Sequence, residues 1–235
     1  MIFSFKRSMA IFQKDYKDIM KNYFVSTSAV MPLILAAFYS RMGTLAVFDH
    51  YLIFNLTFCL VGAYIQCALI AEEKEKNTLR GLMLSPASTM EILAGKSLLS
   101  FIGTILIILI SAFLTEYKPT NLAVISLAMV LSTLFYIGVG TLLGLLTKSV
   151  MEASVIILPF FGLFTLGPAL TNMADQYPFL KVAEYLPSVQ IIHLATESQA
   201  GGGFLDVLPN FLIISGWLVA VFALVIIVYQ RRMID

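Results

Sequence analysis

Six stretches of the chain are almost unbroken runs of apolar residues, at 24–40, 52–71, 97–115, 122–146, 153–171 and 209–229, and none holds a charged side chain. Runs of this length suit helices crossing a hydrocarbon layer, which takes roughly 20 apolar residues. The first is the shortest at 17 residues and the fifth is interrupted by Pro159. Barrel strands would be shorter and would alternate apolar with polar residues, an alternation that 105–110 and 224–228 lack. The pattern predicts an all-α integral membrane protein of six transmembrane helices, occupying residues 24–235. Ahead of them, Phe5, Met9, Phe12, Tyr16, Ile19 and Tyr23 recur at helical spacing, with Lys14, Lys17 and Lys21 off that stripe. Residues 1–23 therefore read as an amphipathic helix lying in the cytoplasmic interface. Docking of this helix on a partner protein is the alternative.

Composition agrees: 59% of the side chains are apolar and 12% charged, with a mean hydropathy of +0.90. A water-exposed globule would lack polar surface, so a soluble enzyme is excluded. A net charge of +1 gives no basic face for nucleic acid. The distribution of charge tells more than its sum. Residues 1–23 carry five Lys and Arg, the loop after the second run four (Lys74, Lys76, Arg80, Lys96), the loop after the fourth Lys148, and the tail Arg231 and Arg232. The remaining segments hold only Arg41, Lys118 and Lys181. Twelve against three places both termini in the cytoplasm of a multi-pass cell-membrane protein. Cys59 and Cys67 share one run about 80° apart on a helix, too divergent to bridge each other.

The cytoplasmic loop 72–96 has the most definite architecture. Glu72-Glu73-Lys74-Glu75-Lys76 extends the second span into water, with Glu72 and Lys76 at helical i, i+4 spacing. A short amphipathic turn with Leu79, Leu82 and Met83 follows, stopped by Ser85-Pro86. Ser88-Thr89-Met90-Glu91 has the form of a capping box that opens the third span's helix. Gly95-Lys96-Ser97 is no phosphate-binding loop, because Met90 stands where the motif needs its first glycine. This chain cannot hydrolyse ATP by itself.

Glu73 with Asn77-Thr78-Leu79, then Leu84-Ser85-Pro86-Ala87-Ser88, Glu91-Ile92-Leu93 and Gly95-Lys96 resembles the loop of type-2 ATP-binding cassette (ABC) transporter permeases. Asn77 departs from the glycine usual there, though Asn tolerates the left-handed conformation. The resemblance implies a non-catalytic permease subunit that forms a homodimer or heterodimer with a second permease and exports cargo using a separate ATP-binding cassette subunit. It implies that the loop is a coupling helix docked on that ATPase through Glu73, Thr78, Leu79, Leu82 and Pro86. ATP and Mg would be bound by the partner, with no cofactor, metal or catalytic residue on this chain. A substrate route lined by spans one, two and five is implied as well, and their apolar character suits an amphipathic or hydrophobic cargo such as a peptide, a lipid-like molecule or a drug.

Two competing functions remain at this stage: a non-transporting scaffold or sensor that recruits a cytoplasmic partner, and a gradient-driven carrier. The carrier loses weight because no ionisable residue falls inside a run, His50 and His193 included. Asn55, Cys59, Gly62 and Gln66 line one face of the second span. Asn55 and Gln66 are thus candidates for contact with a cargo pathway or a second protomer, interhelical hydrogen bonding being the ordinary use of such residues. Gly140 and Gly144 predict close helix packing. The extracellular segment 172–208 should hold a short helix over 189–198 capped by Ser188.

Overall fold

The computed structural model describes residues 5–76, 78, 89–171, 173 and 176–232. Every regular element among them is helical: α1 (Phe5–Lys21), α2 (Tyr23–Ser28), α3 (Met31–Tyr39), α4 (Val47–Glu75), α5 (Thr89–Leu114), α6 (Leu122–Leu146), α7 (Val150–Thr171), a 3₁₀ helix (Pro178–Tyr185), α8 (Pro187–Gln199) and α9 (Phe204–Arg232). Within α4, Phe58–Tyr64 winds as a π-helix. Five helices (α4, α5, α6, α7 and α9) are long and apolar enough to cross a membrane, and a shorter apolar stretch spans Val25–Tyr39.

The first predicted span is therefore two short helices. Pro32 has no N–H to give the Ser28 carbonyl, so the backbone ladder fails there. The hydroxyls of Ser26, Thr27 and Ser28 bond back to Ile19, Tyr23 and Val25 carbonyls, which further loosens this turn.

Besides α5, whose helix was expected to open in the loop before its run, three spans begin earlier than their apolar runs, each for one reason. Asp49 accepts from the Ala46 amide at 2.9 Å, Glu152 from Lys148 at 2.7 Å and Asp206 from Gly203 at 2.7 Å. An acid in the first turn caps the open amides and suits the positive end of the helix dipole, so these charges start helices instead of ending them. The second span consequently starts at Val47 rather than 52, and His50, expected outside it, is buried there with Nδ1 3.0 Å from Thr115 Oγ1.

The bundle is built around α4. Of the most apolar 18 residues of each helix, 89% are buried in α4, 61% in α6, and 28% or fewer in α5, α7 and α9. α4 packs on α5, α6 and α7, while α9 closes on the other side of α6. Gly140 and Gly144 set the α4–α6 spacing: a Cβ on Gly140 would stand 2.2 Å from the Ala63 carbonyl oxygen, and one on Gly144 would stand 2.8 Å from that of Cys67. The small-residue face predicted from the sequence is thus a backbone-to-backbone contact. Phe58 stacks on Tyr136, and Phe135 meets Phe164 and Trp217 edge to face, joining α4, α6, α7 and α9.

At the far end from α1, α8 is sunk into the bundle, with Ile191, Leu194 and Ala195 fully buried. Ser188 does not cap it as expected. Pro187 opens α8, and Ser188 lies inside it with its hydroxyl buried. A proline whose missing N–H would in any case be unpaired starts the helix without a side-chain cap.

Candidate functional site

The stems of the loop, α4 and α5, come together with α1 at one end of the bundle, where most of the basic residues also gather. Glu73, on the last turn of α4, is buried there. Its Oε2 lies 2.8 Å from the Lys96 ammonium of α5, an ion pair not aligned as a hydrogen bond, and its Oε1 accepts from Lys14 of α1 at 2.5 Å. Lys96 also donates to Asp15 Oδ2 of α1 at 3.4 Å. The side chains of Lys96 and Asp15 are each 1% exposed and that of Glu73 is 4% exposed, so three charges are taken out of water together. Such burial is tolerated only when the charges compensate one another. Lys14, half in solvent, supplies the second cation. Burial pushes the Asp15 carboxyl up to about 6, against the pull of Lys96 and with the added repulsion of Glu73.

This packing explains the path of α1. Gly95 lets α1 lie directly on α5: a Cβ there would stand 2.9 Å from the Ser8 carbonyl oxygen and from Ile11 Cβ. Ser8 Oγ donates to the Glu91 carbonyl at 3.3 Å. The face of α1 turned to the bundle is thus Ser8, Ile11 and Asp15, not the apolar stripe, of which Met9 and Phe12 are partly covered and Tyr16 is open.

The helix end beyond Ala71 is also less solvated than its sequence suggests. The Glu72–Lys76 pair forms at 2.5 Å as the spacing predicts. Lys74, however, reaches the Leu145 carbonyl at 2.7 Å, and Glu75 accepts from the Val150 amide at 2.9 Å. Together they tie α4 to the α6–α7 turn.

Among the sequence-predicted coupling residues, Glu73 lies at the centre of the ionic cluster, and the Thr78 hydroxyl donates to the Glu73 carbonyl at 3.3 Å. Leu79, Leu82 and Pro86 lie outside the described residues. Gly95 and Lys96 enter the sequence reading as part of the resemblance but without their partners, and Asp15 does not enter it at all. Lys96 is otherwise counted as a loop charge, and Asp15 sits among lysines on the polar side of α1 with Asp18 as a second acid, so nothing local marks it for burial.

Asn55 and Gln66 both face the protein interior. Asn55 Nδ2 donates to the Ser188 carbonyl at 3.1 Å, holding α8 to α4. Gln66 donates to Thr141 Oγ1 of α6 at 3.1 Å and accepts from Ser100 Oγ of α5 at 2.8 Å. In this chain the two side chains join neighbouring helices. An open cavity of about 360 Å³ lies instead between α2, α3, α4 and α7, bordered by Thr27, Met31, Leu60, Tyr64, Ile157 and Phe161. Its walls come from the first, second and fifth apolar runs of the sequence and are almost entirely apolar.

No group of three or more His, Cys, Asp or Glu suited to holding a metal ion occurs among the described residues. Comparison with curated proteins gives no match. Comparison with family models gives one over residues 8–227, from α1 to near the end of α9, described as ABC-2 family transporter protein. With apolar helices of spanning length and a buried ionic base beneath the loop that carries the sequence resemblance, this multi-pass membrane protein belongs to the ABC-2 transporter family.

Proposed function

We propose that the chain is the membrane subunit of an ABC exporter. It works as a dimer of six-span protomers in the cell membrane, with both termini in the cytoplasm and the stretch Val25–Tyr39 completing the sixth crossing. A separate subunit binds ATP and Mg and docks on the loop 72–96, where Leu79 and Leu82 form the apolar contact and Glu73, Thr78 and Pro86 fix the loop's course. The observation that carries this reading is the buried ionic cluster of Glu73, Lys96 and Asp15, which ties both stems of the loop to α1. A loop transmitting force needs such a tie, because a soft anchor would absorb the displacement. The cargo is amphipathic or hydrophobic, in keeping with the apolar cavity against α4, and α1 rests Tyr16 and the uncovered parts of Met9 and Phe12 on the inner lipid surface.

The test is replacement of both Leu79 and Leu82 by Asp. Unpaired carboxylates in a desolvated contact cost about 2 kcal/mol or more per site, enough to weaken docking at least tenfold. The variant should insert normally, since no Lys or Arg changes, yet lose its ATPase on purification and stop exporting. Retention of both partner and export would refute the coupling assignment. Retention of a partner that hydrolyses no ATP would favour the scaffold reading, and export that follows the proton gradient would favour the carrier.

A further inference from the structure

We infer that Lys96 is a positioning residue that makes α1 a moving part of the coupling apparatus, carrying displacement of the loop stems to the N-terminal helix. The inference rests on the coupling role proposed for the loop. Three observations support it. The Lys96 ammonium is shared between Glu73 on one stem and Asp15 on α1, at 2.8 and 3.4 Å, so one buried cation joins three helices. Lys14 on α1 returns to the same Glu73 at 2.5 Å, closing the ring from the other side. Gly95, the residue before Lys96, brings the backbone of α1 into direct contact with α5, leaving no lubricating layer of side chains between them.

The strength of the tie lies in its burial. The three side chains sit out of water, so separating α1 from the stems would strand a charge on each surface, and this is far less favourable than opening a solvated pair. α1 and the stems therefore move as a unit. Toward the membrane, α1 leads directly into α2 through Asn22, whose side chain accepts from the Val25 amide. α2 supplies Thr27 and Ser28 to the wall of the apolar cavity. A displacement of the loop stems thereby reaches the cavity by a route outside α4, through α1 and α2.

The experiment uses the full chain purified with its ATPase and reconstituted in lipid nanodiscs. Spin labels are attached at Lys17→Cys on α1 and Arg231→Cys at the end of α9, both exposed, while the native cysteines are buried. The distance between labels is measured without nucleotide and with ATP plus vanadate. The parent protein should show a nucleotide-dependent shift. Lys96→Met, which keeps the packing and removes the cation, should lose that shift while retaining its ATPase. Asp15→Asn, which leaves the Lys96–Glu73 pair in place, should reduce it, and Lys96→Arg, which keeps the cation, should retain it. Should Lys96→Met prove too unstable to purify, Asp15→Asn and Lys96→Arg decide. A shift that persists unchanged in Lys96→Met, or in Asp15→Asn when it alone is measured, would overturn the inference. If no ATPase copurifies even with the parent chain, the functional reading has failed instead, a result distinct from loss of the shift in an intact complex.

Discussion

Replacement of Gly140 by Ala adds one methyl group at the place least able to take it. The new Cβ would lie 2.2 Å from the Ala63 carbonyl oxygen and 2.9 Å from its carbonyl carbon and Cα, where ordinary contact begins at 3.4 Å. The obstructing atoms are backbone in the middle of α4, so no rotamer change relieves the clash and α6 must retreat by about 1 Å. Overpacking of this kind costs about 1–3 kcal/mol, and a gap of 0.5–1 Å along the remaining contact forfeits about a quarter to a half of its dispersion energy. Against this stands a gain of about 1 kcal/mol from better helix propensity. A net loss of about 2 kcal/mol lowers the melting temperature of a chain this long by roughly 4–8 °C. The assay is thermal unfolding of detergent-purified protein at one fixed scan rate. Gly216→Ala in α9 is the control, because nothing lies within 4 Å of its Cβ position, and it should melt at or slightly above the parent. A Gly140→Ala protein that melts no lower than this control would refute the claim that the glycines set the spacing of α4 and α6.

Asn55→Ala should destabilise the protein by about 1–2 kcal/mol, since the buried Ser188 carbonyl loses its donor, and amide exchange in α8 should quicken; unchanged exchange there would mean the bond does not hold α8. Lys74→Met should cost about 1 kcal/mol by leaving the Leu145 carbonyl without the ammonium, read as a lower melting temperature, whereas a solvated lysine would show no effect. Asp15 binds its proton more tightly folded than unfolded, 3.8 being the ordinary value and about 6 the folded one. Stability from that proton is therefore full below about pH 4 and is lost as pH rises through about 6. Set against Asp15→Asn, which cannot titrate, the parent should lose about 3 kcal/mol across that window; parallel melting curves from pH 4 to 7 would show that Lys96, Lys14 and Glu73 leave the carboxyl at its ordinary value.

Apolar run length was enough to find five long helices, because a span must satisfy its backbone internally and advertises this in its side chains. Their starts were harder to read. Asp49, Glu152 and Asp206 are polar by hydropathy and end a run, yet each belongs to the first turn of its helix as an amide acceptor. The first span misled in the opposite sense, since 24–40 is evenly apolar but is broken by Pro32 and by hydroxyls bonding backwards. At the candidate site, Glu73 was marked by resemblance alone. Its partners Lys96 and Asp15 stand 23 and 58 residues away along the chain, and no local pattern shows which charges of a loop and a helix will be buried together. The polar face of the second span was visible, and the structure shows where Asn55 and Gln66 direct their hydrogen bonds.

The burial of α4 has a consequence for biogenesis. A helix enclosed by its neighbours in the finished protein must still leave the translocon before most of them have been made. The Ser100 partner of Gln66 is synthesised 34 residues later and Thr141 75 residues later, while the Ser188 carbonyl that receives Asn55 follows after 133. During that interval these amides lack those partners, and in lipid an unsatisfied polar group is costly. The nascent chain is therefore incomplete in a chemical as well as a geometrical sense until α8 arrives. Truncation anywhere before α8 leaves Asn55 without its acceptor in the middle of an apolar helix, a mark by which membrane quality control can tell an unfinished subunit from a finished one.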